Sequence, residues 1–438
     1  MTMRRRMFTW IGKAAIVALA VSAAAPSFGA GFGIFEQGSK AMGMAGAFTA
    51  QADDGSALFH NVGGLAFLDE RRLEAGVTLI TQTEAEFRGS NPFPGNDVFA
   101  EQEDAVFFPP HVYYVQPISD ALSFGFSFNT PFGLATEWKD VDTFPGRYIS
   151  YQAELRALDL GASLGWKATP DFGLGFGVIA RGSDVALNQR VPVVNPFTFQ
   201  VVDAADVDLE SDIDWGVGFQ AGVLHRYNNS FSWGFSYRSK IEIDYGGDAA
   251  FRQISTGNAQ LDGAIAASLP VGQKVPVTTT IEFPDMASLG VAIALGPNST
   301  LEVDANWTGW SSFDQLVIDF DDAVEASTAI EDVVRPENWD DAMNYRIGFS
   351  YGFGNSELRL GYVYDETPQP ASSASPLLPD NDRSGFTIGY GFQGDTLFTD
   401  LALMYLPFDE LEVKQSIDRY TGTYNITAWL LGVTVGWK

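Results

Sequence analysis

The 438-residue chain predicts an all-β fold, a 14-stranded antiparallel transmembrane β-barrel preceded by a separate plug-like N-terminal segment. Three observations predict it: an export signal at the start, no later apolar run long enough for a spanning helix, and a repeated dyad of apolar and small residues. Only a closed barrel pairs every backbone N–H and C=O in lipid without helices.

Composition narrows the function classes. With 26 basic and 55 acidic side chains the net charge is −29, so the chain lacks the basic face that phosphate backbones require and no nucleic-acid partner is expected. Cysteine is absent, which removes disulfide frameworks, thiolate metal sites and cysteine nucleophiles. The three histidines, His60, His111 and His225, leave little for a histidine-rich metal centre. Phenylalanine (34) and glycine (45) are abundant, while charged residues make up only 18%. That balance fits strands with one greasy face.

Residues 1–29 read as a secretory signal. Arg4, Arg5, Arg6 and Lys13 form its charged region, Ala14 to Ala25 its short apolar stretch, and Ser27-Phe28-Gly29 the small-residue cleavage site. The apolar stretch falls short of the roughly 20 residues that span a bilayer. Cleavage would make Ala30 the new N-terminus. Residues 30–71 show no alternation, are small and polar, and form the expected hatch; residues 72–438 form the expected barrel.

The barrel elements follow from period-two alternation between turn-rich stretches. Leu122, Phe124, Phe126 and Phe128 alternate with Ser123, Gly125, Ser127 and Asn129. Phe231, Trp233, Phe235 and Tyr237 alternate with Ser232, Gly234, Ser236 and Arg238. The last strand sets Trp429, Leu431, Val433, Val435 and Trp437 against Leu430, Gly432, Thr434 and Gly436. Strands are expected near 72–88, 104–116, 121–130, 148–167, 172–191, 206–226, 231–247, 276–295, 299–320, 340–353, 357–366, 383–393, 396–418 and 424–437. A soluble sandwich would carry Lys, Glu and Thr on its second face. Here that face is mostly Gly and Ser, as in a barrel with lipid outside and a packed or polar lumen inside. Short turns such as Pro170-Asp171 and Gly354-Asn355 face the periplasm. The long connections 131–147, 248–275, 320–339 and 366–383 face outward, and Leu261, Ile265 and Leu269 have the spacing of a short helical lid.

Several stretches carry a resemblance. They are Ala30-Gly31-Phe32 through Gly43-Met44-Ala45-Gly46-Ala47-Phe48, Pro131-Phe132-Gly133-Leu134-Ala135-Thr136-Glu137-Trp138 with Gly146-Arg147-Tyr148, Phe283-Pro284-Asp285, Trp307 to Phe313, Leu358 to Tyr362, Asp365 to Pro368, and Leu378 to Arg383. In this order the chain resembles the FadL-type outer-membrane transporters (OmpP1/FadL/TodX), a family of long-chain fatty-acid and aromatic-hydrocarbon channels. The resemblance implies the fourteen-stranded barrel, a hatch, a capture groove among the outer loops, an internal pocket, and passive release through hatch rearrangement and a sideways opening. Two positions depart from the pattern. Asn61-Val62-Gly63 stands where the family reads Asn-Pro-Ala, and the chain ends Trp437-Lys438 rather than on an aromatic.

The expected function is passive outer-membrane transport of long-chain fatty acids or similar hydrophobic compounds, with no enzyme activity and no cofactor. Aromatic-hydrocarbon uptake is the alternative. The expected partners are the ligand, outer-membrane lipid and lipopolysaccharide, and the expected state is a monomer. A fatty acid wants an apolar slot and one cation for its carboxylate. Arg181, Arg238, Arg346 and Arg359 lie on the small-residue face and either meet a ligand or pair with inward acids such as Asp365, Asp380 or Asp400. Arg147, in the resembling loop, either touches ligand or orders that loop. Phe32 reaches an internal pocket if the hatch threads the lumen. Phe132, Leu134 and Trp138 are groove candidates or part of an interfacial girdle. A diffusion porin would need a charged lumen, which the small-residue face does not supply. Gly161-Ala162-Ser163-Leu164-Gly165 matches a hydrolase elbow in letters but lies inside an alternating strand. The acidic runs 203–214 and 319–341 read as solvated loops, bridged by divalent ions to lipopolysaccharide rather than built as metal sites.

Overall fold

The computed structural model describes residues 31–438; the expected signal at 1–29 and the new N-terminus at Ala30 lie outside the described residues. Fourteen antiparallel strands close a barrel. In chain order they are β1 Arg72–Gly89, β2 Pro110–Ser119, β3 Leu122–Glu137, β4 Gln152–Thr169, β5 Phe172–Val194, β6 Asp214–Asn228, β7 Phe231–Arg238, β8 Met286–Gly296, β9 Ser299–Thr308, β10 Ala342–Phe353, β11 Ser356–Asp365, β12 Arg383–Gln393, β13 Leu397–Pro407 and β14 Gly422–Trp437. Neighbours pair in sequence, and β14 closes onto β1 from Leu73↔Trp437 to Gly89↔Gly422. No sheet edge is left in the ring, which is what lipid demands.

Four strands continue beyond a break. Val201–Ser211 precedes β6, Ile241–Gln253 follows β7, Lys274–Phe283 precedes β8 and Gln315–Phe320 follows β9. The expected single strands 206–226, 231–247, 276–295 and 299–320 are therefore each two segments. Phe231 and Phe235 face outward on β7, yet Ile241, Ile243 and Tyr245 are buried inside beyond the break. A continuous dyad would have left those three facing water above the bilayer, because strand faces alternate strictly. The break at Ser239-Lys240 turns them inward. Strand β4 reaches the same end without a break. Its inward residues run Ala153, Leu155, Ala157 and then Asp159, Gly161, Ser163, while its outward residues run Glu154, Arg156 and then Leu160, Leu164, Trp166.

The outward belt is apolar and aromatic: Trp166, Phe176, Val217, Leu289, Tyr345, Leu360 and Ile388 are all exposed. Cross-strand pairs such as Tyr405 and Trp429, 4.7 Å between ring centroids, stiffen it. Strand β3 reaches Glu137, so Phe132 and Leu134 belong to a strand rather than to the expected 131–147 loop. Its ladder to β4 slips between Asn129 and Phe132, around Pro131, which has no N–H to donate. Beyond Phe128 it loses β2 as a partner. The N-terminal segment replaces that partner: Ile34 N donates to Pro131 O at 2.7 Å and Gly133 N to Phe32 O at 2.9 Å.

Residues 31–68 run through the lumen as short turns and helices, Ser39–Met42, Ala57–His60 and the 3₁₀ helix Val62–Phe67, almost entirely buried. The small-residue face of the strands is their seat. A Cβ on Gly234 would strike Thr49 O, one on Gly175 would strike Val62 O, and one on Gly361 the Met44 carbonyl carbon. Buried strand carboxylates take the segment's backbone N–H groups. Asp304 accepts from Phe48 N (2.9 Å) and Thr49 N (3.0 Å), Glu302 from Ala50 N (2.5 Å), and Glu74 from Gly55 N (2.8 Å). A typical intramolecular hydrogen bond contributes about 0.5–1.5 kcal/mol net. Asn61 caps the 3₁₀ helix by accepting from Gly63 N at 2.9 Å and ties it to the wall by donating to Val223 O at 3.0 Å. The turn thus forms without the Pro-Ala that the resembling family carries there.

Candidate functional site

Above the strand breaks the wall changes character, and the inward face becomes aliphatic. Leu155 of β4, Val185 and Leu187 of β5, Leu209, Tyr245, Val277, Ile281, Leu316 and Ile318 of the extensions, and Leu377 and Leu378 of the 366–382 connection enclose a cleft of about 860 Å³. Phe32 and Leu134 line it as well. Its polar lining is Glu154, Glu210, Glu337, Ser211, Thr278 and Thr279; among the described residues no lysine or arginine lines it. Burial pushes the Glu337 carboxyl up to about 7, against the pull of Arg335 at 2.8 Å. The helix Ala259–Ser268, capped by Asn258, packs Leu261 and Ile265 against Ala204 beside the cleft rather than lining it. It meets the lid expectation in form.

Phe32 separates this cleft from the lumen. It is 1% exposed and ringed by Phe132 (6.0 Å between centroids), Phe283 (6.0 Å), Trp310 (4.6 Å), Phe313 (5.4 Å) and Trp339 (5.8 Å). Below it lies a second, polar cavity of about 330 Å³. It is bounded by Gly33, Ile34, Pro131 and Phe132 at the β3 slip and by Asn344, Arg346, Asp365 and Arg383. An apolar cleft of this size, ending on Phe32 and its aromatic ring above a polar chamber beside an irregular strand, can hold an elongated hydrophobic molecule.

Comparison with known proteins bears on the same point. The family described as "Outer membrane protein transport protein (OMPP1/FadL/TodX)" matches residues 18–438. The chain belongs to this family. The "Long-chain fatty acid transport protein" of Escherichia coli K12 is 24% identical over 460 residues, covering 98% of each chain. The fold is shared with a FadL homologue of Pseudomonas aeruginosa (TM-score 0.77, 21% identity, 93% of this chain and 99% of that one). It is shared too with the toluene transporter TbuX of Ralstonia pickettii (TM-score 0.68, 16% identity, 92% and 99%). Like other OMPP1/FadL/TodX members, the protein resides in the outer membrane.

Within this OMPP1/FadL/TodX barrel the expected site residues fall into three places. Phe32 and Leu134 line the cleft, and Phe132 lies between cleft and chamber. Trp138 is elsewhere: it stacks on Phe144 at 4.8 Å and donates to Pro376 O at 2.9 Å, in a cluster that closes the outer loops. The arginines are committed. Arg181 pairs with Asp159 at 2.7 Å and lies over the Phe132 and Phe283 rings. Arg238 shares that Asp159 at 2.9 Å. Arg359 is held by Glu357 and Asp400, each at 2.6 Å. Arg346 donates to Ala45 O at 2.6 Å and to Asn344 Oδ1 at 2.8 Å, its guanidinium over Phe35, and among these arginines it alone lines the polar chamber. Arg147 pairs with Asp203 at 3.0 Å and orders the loop through Phe144 O. Burial and the hydrogen bond to Asp203 push the Tyr148 phenol beside it up to about 12. The acidic run at 203–214, expected as a solvated loop, falls largely in the strand Val201–Ser211, paired on both sides, whose Asp203, Asp206 and Asp208 meet Arg147, Arg190 and Arg252. Ser163 faces the lumen in mid-strand and accepts from Gln220 Nε2 at 3.1 Å. The aliphatic wall residues are what the sequence reading missed. Their signal is the exchange of faces within β4, apolar outside below Asp159 and apolar inside above it.

Proposed function

We propose that this protein passively carries long-chain fatty acids or similar hydrophobic compounds across the outer membrane. The ligand is captured in the apolar cleft, passes Phe32 into the polar chamber, and leaves where the N-terminal segment patches the interrupted wall at Pro131. The observation that carries this reading is the cleft of about 860 Å³ ending on Phe32, in a lumen otherwise filled by residues 31–68. Relatives named for long-chain fatty-acid and toluene transport support it. In the same reading the N-terminal segment is a hatch that must move, and the working unit is a monomer set in lipid and lipopolysaccharide. A water-filled porin is disfavoured by that filled lumen.

The second reading, uptake of aromatic hydrocarbons, is favoured by a specific observation. The cleft is lined by three carboxylates and, among the described residues, by no cation, and a fatty-acid head group would first meet positive charge in the chamber, at Arg346 and Arg383. Uptake of labelled oleate and of labelled toluene, in a Gram-negative host lacking its own fatty-acid channel, tests both readings. Oleate uptake that falls in Arg346→Ala supports a carboxylate-reading channel. Toluene uptake alone moves the protein to the hydrocarbon reading, and uptake of neither contradicts the transport proposal.

A further inference from the structure

The polar chamber contains a buried cation whose own protein gives it no counter-ion. Arg346 of β10, 3% exposed, donates through Nε to Asn344 Oδ1 at 2.8 Å and through Nη1 to Ala45 O at 2.6 Å, and both acceptors are neutral. Among the described residues its Nη2 makes no hydrogen bond and no carboxylate lies within ion-pair distance of it. The Phe35 ring, with its centroid 3.9 Å from the guanidinium carbon, covers one face. Arg383 of β12, 4% exposed, is placed differently. Asp365 of β11 accepts from its Nε and Nη2, while its Nη1 is buried without a hydrogen-bond partner. Both arginines line the chamber. A guanidinium taken out of water without an anion is costly, which is why buried charges are normally paired.

The nearby acids do not supply the partner. Asp365 is taken up by Arg383, so that pair is neutral. Glu36 of the N-terminal segment lies in the electrostatic field of both arginines, yet it pairs with neither and does not line the chamber, and its Oε2 is buried without a hydrogen-bond partner. Its backbone holds it there: Glu36 O accepts from Thr78 Oγ1 at 3.2 Å, and the next side chain, Gln37, donates to Thr130 O at 2.9 Å. Two guanidinium N–H groups, carried by different strands, are thus left without an acceptor at one cavity. The chamber is apolar on the side toward the cleft, where Phe132 and Trp310 line it and also ring Phe32.

Resting on the transport reading above, we propose that the chamber seats the ligand's head group, so that a long-chain carboxylate binds head-down. Its oxygens accept from Arg346 Nη2 and Arg383 Nη1, and its chain runs up past a displaced Phe32 into the apolar cleft. Charge-assisted bonds from arginine to carboxylate are among the strongest hydrogen bonds available. The cleft, which no lysine or arginine lines among the described residues, holds the tail alone. The ligand class is therefore a single-headed carboxylate. An alcohol of the same length offers an oxygen but no charge for Arg346, and a hydrocarbon offers neither.

Binding of hexadecanoate and of hexadecanol to the purified barrel, measured by calorimetric titration in a non-ionic detergent, tests the assignment. Arg346→Gln is expected to weaken hexadecanoate by about tenfold or more and to leave hexadecanol nearly unchanged, and Arg346→Lys to recover part of the loss by restoring the charge. Glu36→Gln removes the one uncommitted carboxyl from the field, and it is expected to bind hexadecanoate at least as tightly as the wild type. Equal weakening of both ligands in Arg346→Gln overturns the proposal, since that is the mark of a structural role through Ala45 and Asn344. Unweakened hexadecanoate binding in Arg346→Gln, or weaker binding in Glu36→Gln, overturns it too. Orientation is read on the wild type, whatever the variants do. Crystals soaked with 2-bromohexadecanoate are expected to show an anomalous peak in the chamber, and those soaked with 16-bromohexadecanoate a peak in the cleft. The reverse placement overturns the proposal and leaves the transport reading standing. A wild-type barrel that binds neither hexadecanoate nor hexadecanol fails both.

Discussion

Glu337 is the titratable side chain through which the cleft responds to pH. Burial holds its carboxyl near 7 despite Arg335. Below that value it is protonated, and an apolar ligand covers a neutral group. Above it, the ligand must strip water from a charge. A ligand seated over the carboxyl disfavours its charged form further, so binding is strongest while Glu337 is protonated and weakens as pH rises through about 7. Apolar-probe binding is accordingly expected to weaken roughly threefold between about pH 6 and about pH 8, and Glu337→Gln is expected to flatten the profile. A fluorescence titration of the purified barrel reads this directly; a wild-type profile with no slope contradicts it. The arginines show the limit of reading residues singly. Arg181, Arg238, Arg346 and Arg359 were legible as lumen-facing from strand parity alone. Their partners Asp159, Ala45 and Asp400 lie on other strands or in the N-terminal segment, and one strand's pattern carries no information about what faces it across a lumen.

The N-terminal segment owes its place to backbone contacts, and substitutions beneath it should move it rather than unfold the barrel. Gly234→Val sets a side chain against Thr49 O, and overpacking of this kind costs about 1–3 kcal/mol. Asp304→Asn weakens the grip on Phe48 N and Thr49 N. Both variants are expected to retain heat-modifiable migration while admitting bulky hydrophilic antibiotics, seen as a several-fold fall in the growth-inhibiting concentration of vancomycin. Unchanged sensitivity in both would mean that the segment is held by something else. These elements were half legible. Gly and Ser on the inner face announced a packed lumen, and the ring strands followed from alternation. The breaks in the β6, β7, β8 and β9 extensions did not follow. Phe231 to Tyr245 keeps its apolar residues at odd positions throughout, so periodicity alone reads one strand where the chain flips faces at Ser239-Lys240. Glu242 and Asp244 share the lumen parity of Ser236 and Arg238, so their charges gave no sign of the flip. Phe132 and Leu134 were placed in the 131–147 connection, which opens on Pro131. In the barrel it is a slip in a strand that goes on.

At the scale of the whole molecule, one chain builds two β-structures end to end. Within the bilayer the ring is apolar outside and filled inside; above it, the extensions are charged outside and aliphatic inside, which is the pattern of a soluble β-sheet around a binding cleft. Phe32 sits where the two meet, tied to the β3 slip by the hydrogen bonds between Gly133 N and Phe32 O and between Ile34 N and Pro131 O. In the proposed function, a ligand that displaces Phe32 also loosens the patch over the interrupted wall, which would couple capture to release without an energy source. The measurement that tests this most directly is a crystal structure of the protein soaked with a brominated apolar compound, located by its anomalous signal. The account predicts a peak in the cleft between Phe32, Leu155, Ile281 and Ile318. A peak confined to the lipid-facing belt, with none in the cleft or against Phe32, would contradict it.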